Sequence, residues 1–189
     1  MNDIIDEKEF NGIDFSVKPF NKADYEYCLF KGCNFANADL SNISFTSCEF
    51  VNCDMSSAKL LHASFKEANF NSCKLLGLHF DQCNTFLLDL NFISCQLDFS
   101  SFYKLSLKKI TFDNCSLKEV DFVETDLTEA KFTNCNLNGA IFENSILNKA
   151  DLRSSFGYII DPELNQIGKM RLSVAGLPGL LSKHDLRIQ

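Results

Sequence analysis

An all-β solenoid with four sides to each turn is the fold this sequence predicts, and three observations predict it. Six of the nine cysteines, Cys33, Cys53, Cys73, Cys95, Cys115 and Cys135, recur at gaps of 20, 20, 22, 20 and 20 residues. Large apolar residues recur every five residues. A small residue often stands two places before the large one. A fixed long period means that the chain returns repeatedly to one place, which is the mark of a stacked repeat.

The five-residue beat runs from Phe10 through Phe15, Phe20, Tyr25, Phe30 and onward to Phe80. The frame then slips by two and resumes at Leu87, Phe92 and Leu97, ending at Leu152. Along its twenty-nine centres only Tyr25 carries a polar group. If a centre is position i, position i−2 is usually small: Ala38, Ala58, Ala63, Ala68, Ala130, Ala140, Ala150 and the cysteines, with Cys83 two before Thr85 on the unslipped beat.

A period of five is neither the 3.6 of a helix nor the 2 of a strand. In extended chain i and i−2 face the same side, so the large and small residues both point inward. Five is odd, so the chain must bend once per repeat to bring the next centre inward. Gly32, Asn42, Asn52, Ser72, Asn114, Asn134 and Asn144 stand at bend positions, as turns require. Twenty residues per return then give four bends, a square. Like stacks on like: Phe10, Phe30, Phe50, Phe70, Phe92, Phe112 and Phe132 form one column, and Leu87, Leu107, Leu127 and Leu147 another.

The 189 residues are expected to form an N-terminal cap (1–9), a coil region (10–154) and a C-terminal cap (155–189). About seven coils at roughly 4.8 Å spacing make a rod of about 35 Å. The first coil is irregular, with Lys8 and Lys18 at i−2 and Pro19 beside Phe20, and the regular coil is expected from Ala23. After Leu152 the beat stops. Asp161-Pro162 reads as a turn, and Ser173 as the N-cap of a short helix that Pro178 shifts toward Leu177. Leu177, Leu180, Leu181, Leu186 and Ile188 are more apolar surface than one coil end needs, so this segment is the expected dimer interface.

Chemistry is sparse. Gly168-Lys169 lacks the upstream glycine of a phosphate-binding loop. Cys28 and Cys33, like Cys48 and Cys53, are five apart, so their side chains fall on different inner walls rather than on one metal. His62 and His79 fall on neighbouring coils with Asp81 close by, and read as a solvated pair; His184 belongs to the C-terminal cap. A coil filled by side chains has no pocket, so neither an enzyme, a metal, a cofactor nor a small-molecule substrate is expected. No apolar run approaches membrane-spanning length, and the start, Met1 to Glu7, does not read as a signal peptide. A cytoplasmic protein that contacts neither membrane nor nucleic acid is expected.

Two surface features stand out. Between Asp113 and Asp151 there are eight acids and three lysines, in a chain of net charge −7. Asp121, Glu124, Asp126 and Glu129 crowd one coil and Glu143 follows, a candidate acidic face for a partner. The frame slip predicts a two-residue bulge within Asp81–Phe86, where Asp81, Gln82, Phe86 and Leu88 are candidate contacts. Bulges in a regular sheet often mark functional positions.

Ala38-Asp39-Leu40-Ser41-Asn42, Cys33-Asn34-Phe35-Ala36-Asn37, Ala68-Asn69-Phe70-Asn71-Ser72 and Ala150-Asp151-Leu152-Arg153-Ser154 carry a further likeness. Small residue, Asp or Asn, Leu or Phe, then two polar residues is the motif of the pentapeptide-repeat proteins, which the chain resembles over roughly residues 8–154. The resemblance implies a right-handed quadrilateral β-helix. It is similar in particular to the quinolone-resistance (Qnr-type) subgroup, which implies a homodimer joined through C-terminal segments and a DNA-mimicking acidic surface. The resemblance implies that such a surface binds DNA gyrase or topoisomerase IV and protects it from quinolone-type inhibitors or toxins. The alternative is a structural or protein–protein interaction solenoid with an unrelated partner.

All nine cysteines are expected as free thiols, because stacked Cβ vectors run parallel rather than converge as a disulfide needs. Thiol titration of the denatured, unreduced protein should count nine; a count below about seven would overturn this, since one bridge removes two.

Overall fold

A five-residue step leaves room for about three residues of strand between bends, and most strands have that length. The protein is a right-handed quadrilateral β-helix of parallel strands, about six turns long with a short C-terminal helix. The structure is a computed structural model that describes residues 3–184, 186 and 187. The chain divides into two compact units, one up to Leu97 and one from Asp98.

Among its described residues the first unit contains nine strands: β1 (Ile4–Asp6), β2 (Glu9–Asn11), β3 (Asp24–Glu26), β4 (Leu29–Lys31), β5 (Ser44–Thr46), β6 (Glu49–Val51), β7 (Ser64–Lys66), β8 (Ala68–Asn71) and β9 (Leu90–Ile93). One wall is the ladder β1-β3-β5-β7, with Ile5, Tyr25, Phe45 and Phe65 in register. Another runs β2-β4-β6-β8-β9 and aligns Phe10, Phe30, Phe50, Phe70 and Phe92. The segment expected as an N-terminal cap therefore already contributes a rung, β1. In the second unit β10 (Thr111–Asp113) pairs with β11 (Lys131–Thr133). Its other walls are single bridges at the same offset, as in Ser101–Asp121–Ile141 and Ser106–Asp126–Ile146–Gln166.

Register makes the core. Phe10, Phe30, Phe50 and Phe70 stack with centroids 4.8, 5.0 and 4.9 Å apart and planes within 9°. Rings on adjoining walls meet edge to face, as Phe45 and Phe50 do at 5.4 Å and 71°. Both arrangements suit the aromatic quadrupole. The corners are left-handed: Asn42, Asn52, Ser72, Asn114 and Asn134 have φ between 52° and 61°. Asn tolerates that region better than most residues.

The structure corrects three expectations. First, there are about six turns rather than seven. Residues 17–23 belong to no strand or bridge, and Phe10 and Phe15 are only half-buried, so the opening coil is loosely closed. Second, parallel bridging does not stop with the pentapeptide beat: Asn136–Phe156, Ile146–Gln166 and Asp151–Arg171 keep the twenty-residue offset. Ser155, Tyr158, Ile160 and Asn165 point inward there; Ser and Asn at inward positions hid this stretch from a search for Ala and Cys. Third, Leu87 is not an inward centre. It is 62% exposed, with φ of 57°.

The reason lies in where the two extra residues fall. Asn84 still donates its amide to Ala63 O and its side chain to Ser64 Oγ, on the regular frame. By Leu90 the offset to Ala68 has grown to 22. The two extra residues therefore enter between Asn84 and Leu90. The insertion closes as a turn, with Phe86 N donating to Asn84 Oδ1 and Leu88 N to Thr85 O. That turn stands where a strand after β7 would be, so the four-stranded ladder ends at β7.

Phe50→Ala should lose about 3–5 kcal/mol of unfolding free energy by cavity formation, and Leu87→Ala less than about 0.5 kcal/mol. Urea unfolding of both variants checks this. A comparable loss in both would place Leu87 in the core.

Candidate protein-binding surfaces

The interior is occupied by side chains. The cysteines are more than small hydrophobes: Cys48 Sγ lies 3.4 Å from Tyr25 O, Cys53 Sγ 3.3 Å from Phe30 O and Cys73 Sγ 3.2 Å from Phe50 O. In each case the thiol donates to the carbonyl of a large centre one coil earlier. Thr125, Ser145, Ser155 and Asn165 repeat this contact at 2.8 Å toward Phe102, Phe122, Phe132 and Phe142. Burial pushes the Cys48 and Cys83 thiols up to about 12, so they stay protonated and are poor nucleophiles or metal ligands. All nine cysteines are buried and unbridged. Among the described residues no cluster of three or more His, Cys, Asp or Glu could hold a metal, and no helix is long and apolar enough to cross a membrane.

The charged side chains lie on the outer walls. On the predicted acidic face, Asp121 and Asp126 occupy i−1 and cap their own turns. Asp121 Oδ1 accepts from Val123 N at 2.8 Å, and Asp126 Oδ1 from Thr128 N at 3.0 Å and Thr128 Oγ1 at 2.6 Å. Burial opposes ionisation of Asp126, but Thr128 and Lys108 hold its carboxyl below the usual range. Glu124 and Glu129 stand at corners, with φ of 55° and 60°. Each is paired with a lysine of a neighbouring coil: Lys104–Glu124 at 3.5 Å and Lys149–Glu129 at 2.9 Å, while Lys108 reaches Asp126 at 3.3 Å. Tyr103 Oη also donates to Glu124. Glu143 is exposed and has no ion pair among the described residues. The fold thus brings the five acids onto neighbouring coils and neutralises three of them locally, because a twenty-residue period also stacks lysines beside them.

At the insertion, Asp81 pairs with His79 Nδ1 at 3.2 Å, and Gln82 O accepts from His62 N. Phe86 is 69% exposed, and Leu88 is half-buried. The exposed Leu87 completes this apolar tip; its place on the five-residue beat hid it. At the C-terminus a 3₁₀ turn, Val174–Gly176, precedes the helix α1 (Pro178–Leu181). Ser173 makes no side-chain cap, and Pro178 opens the helix at a position where its missing N–H costs nothing. Gly176 and Gly179 lie against Tyr158, and a Cβ at either would collide with it. Lys183 ties the segment down through Asp161 and Glu163. Of the predicted dimer residues, Leu177 and Leu186 are exposed, Leu180 and Leu181 are half-buried, and Ile188 lies outside the described residues.

A right-handed, four-sided coil with a filled interior and charged outer columns defines a solenoid whose accessible chemistry lies on its walls. Residues 23–91 and 85–156 match the model of the pentapeptide repeat region. The chain belongs to the pentapeptide repeat family. A trypsin-treated form of QnrB1, a plasmid-mediated fluoroquinolone resistance protein, is similar over 100% of both chains, at 19% identity and a TM-score of 0.51. HetL, a pentapeptide repeat protein involved in heterocyst differentiation regulation from the cyanobacterium Nostoc sp. strain PCC 7120, is similar over 91% of this chain and 86% of its own, at 17% identity and a TM-score of 0.50. At these identities the likeness is one of fold. No curated protein matches the sequence.

Ser41 and Lys22 hold Asp39 down to about 2, and Arg153 holds Asp151 below its usual range. A carboxyl depressed on folding stabilises above its unfolded pKa of about 4, and that stability is lost as pH falls through the folded value. The melting temperature should therefore be level between pH 7 and 5 and drop steadily toward pH 2. A level profile down to pH 3 would contradict the pairing.

Proposed function

We propose that this protein is a non-enzymatic, cytoplasmic binding module that docks a protein partner on its outer walls. The filled interior carries this reading: the centres from Phe20 to Leu152, other than Leu87, are buried, leaving no internal cleft for a substrate. The partner class we favour is a type II topoisomerase, DNA gyrase or topoisomerase IV, met by an acidic surface that stands in for DNA and shields the enzyme from quinolone-type inhibitors or toxins. A net charge of −7 and the four carboxylates of Asp121, Glu124, Asp126 and Glu129 along one coil support it, because a surface built for phosphates responds to a matching array of carboxylates. The lysine pairing of Glu124, Asp126 and Glu129 favours a second reading, a docking solenoid for an unrelated partner. In either reading the C-terminal segment, through Leu177, Leu180, Leu181, Leu186 and Ile188, joins two copies.

A supercoiling assay with purified gyrase, with and without a quinolone, separates the two readings. Rescue or inhibition is expected under the first, and neutralising Glu124, Asp126 and Glu129 together should weaken the effect and flatten its salt dependence. Absence of rescue, inhibition and low-salt binding would leave the second. Light scattering should give twice the chain mass; a monomer at tens of micromolar would refute the dimer.

A further inference from the structure

The twenty-residue period sorts charge into columns, and in the second unit one set is cationic. Lys109, Glu129, Lys149 and Lys169 follow one another at a single corner, with φ of 63°, 60°, 60° and 58°. On the adjoining wall Lys131, Asp151 and Arg171 are bridged in register, and Arg153 reaches back beside Asp151. Six cations thus surround two carboxylates, in a chain whose overall charge is −7. Both carboxylates are engaged from within: Glu129 by Lys149 at 2.9 Å, and Asp151 by Arg153 at 2.7 Å and Arg171 at 4.0 Å. Lys131 and Lys169 take no part in these pairs, and both are exposed. A hollow of about 440 Å³ lies among Lys109, Glu129, Lys131, Lys149, Asp151 and Arg171, and a second of about 350 Å³ beside Lys131, Asp151 and Arg153.

We propose that this wall binds a carboxylate-rich segment of a protein partner. Its excess charge is positive, it shares only Glu129 and the paired Lys149 with the acidic face, and it does not depend on the topoisomerase reading. Arg153 and Arg171 present planar forks that match carboxylates. The embedded Glu129 and Asp151 argue against nucleic acid. A phosphate backbone laid along these columns carries charge at every step and would run against both carboxylates, whereas a polypeptide can place uncharged residues opposite them.

The test titrates the full-length protein, at low salt, with a fluorescein-labelled peptide rich in Asp and Glu and, separately, with a labelled DNA duplex. The peptide should bind, more tightly than the duplex, and added salt should weaken it. Lys131→Glu with Arg171→Glu should weaken peptide binding by about tenfold or more, and Lys59→Glu, on the other unit, should leave it unchanged. An unchanged unfolding midpoint shows that the double variant folds; if it does not, Lys131→Ser with Lys169→Ser replaces it. Absence of peptide binding, tighter binding of the duplex, or undiminished binding by a folded variant would each overturn the proposal. The same variant should retain any effect on gyrase, so failure of one surface is distinguishable from failure of the other.

Discussion

Everything in this protein depends on the backbone returning to the same place after twenty residues. That return satisfies the strand amides and carbonyls between coils, lays ring on ring in the phenylalanine columns, and brings inward thiols and hydroxyls such as those of Cys53 and Thr125 to a carbonyl of the coil before. Side-chain direction alternates along extended chain, so a slip of one residue would turn every centre outward. The chain tolerates one departure, of two residues, and there it loses a strand of the β1-β3-β5-β7 wall.

The same constraint governs the surface. Every outward residue inherits a fixed neighbour above and below, so charge is organised by column rather than by sequence. Acids that look clustered along the chain, from Asp121 to Glu129, are interleaved with Lys104, Lys108 and Lys149 from adjoining coils. Charges that look scattered, such as Lys131, Arg153 and Arg171, gather on one wall. A count of acids along a segment therefore overstates the negative field, because screening by a lysine 2.9–3.5 Å away removes much of it.

The position within each repeat also decides a residue's duty. Aspartate at i−1 folds back on the amide two residues on, so Asp39, Asp121, Asp126 and Asp151 hold turns as well as charge. Residues at i+2 adopt the left-handed corner and project outward, which is where Glu124, Glu129, Lys149 and Lys169 meet solvent. Of the predicted acidic face, two members are thus turn caps and two are corner charges, and Glu143 is exposed beside a corner that Asn144 fills.

The sequence by itself determined the coil: period, four-sided turn, inward centres and thiol columns follow from spacing, since alternation and a fixed repeat length admit few other arrangements. It did not determine where the chain departs from the repeat. Phe86, Leu87 and Leu88 are all apolar, and only the hydrogen bonds of Asn84 and Asp89 to the coil before settle which of them turn outward. Nor did it reveal that Ser155 and Asn165 continue the wall after the Ala and Cys pattern ends, because the contact there is made by a donor group rather than by size. Which charges face one another was decided by tertiary structure alone: ion pairs form across coils, between residues about twenty apart, and the strength of that attraction depends on a distance the linear order does not contain.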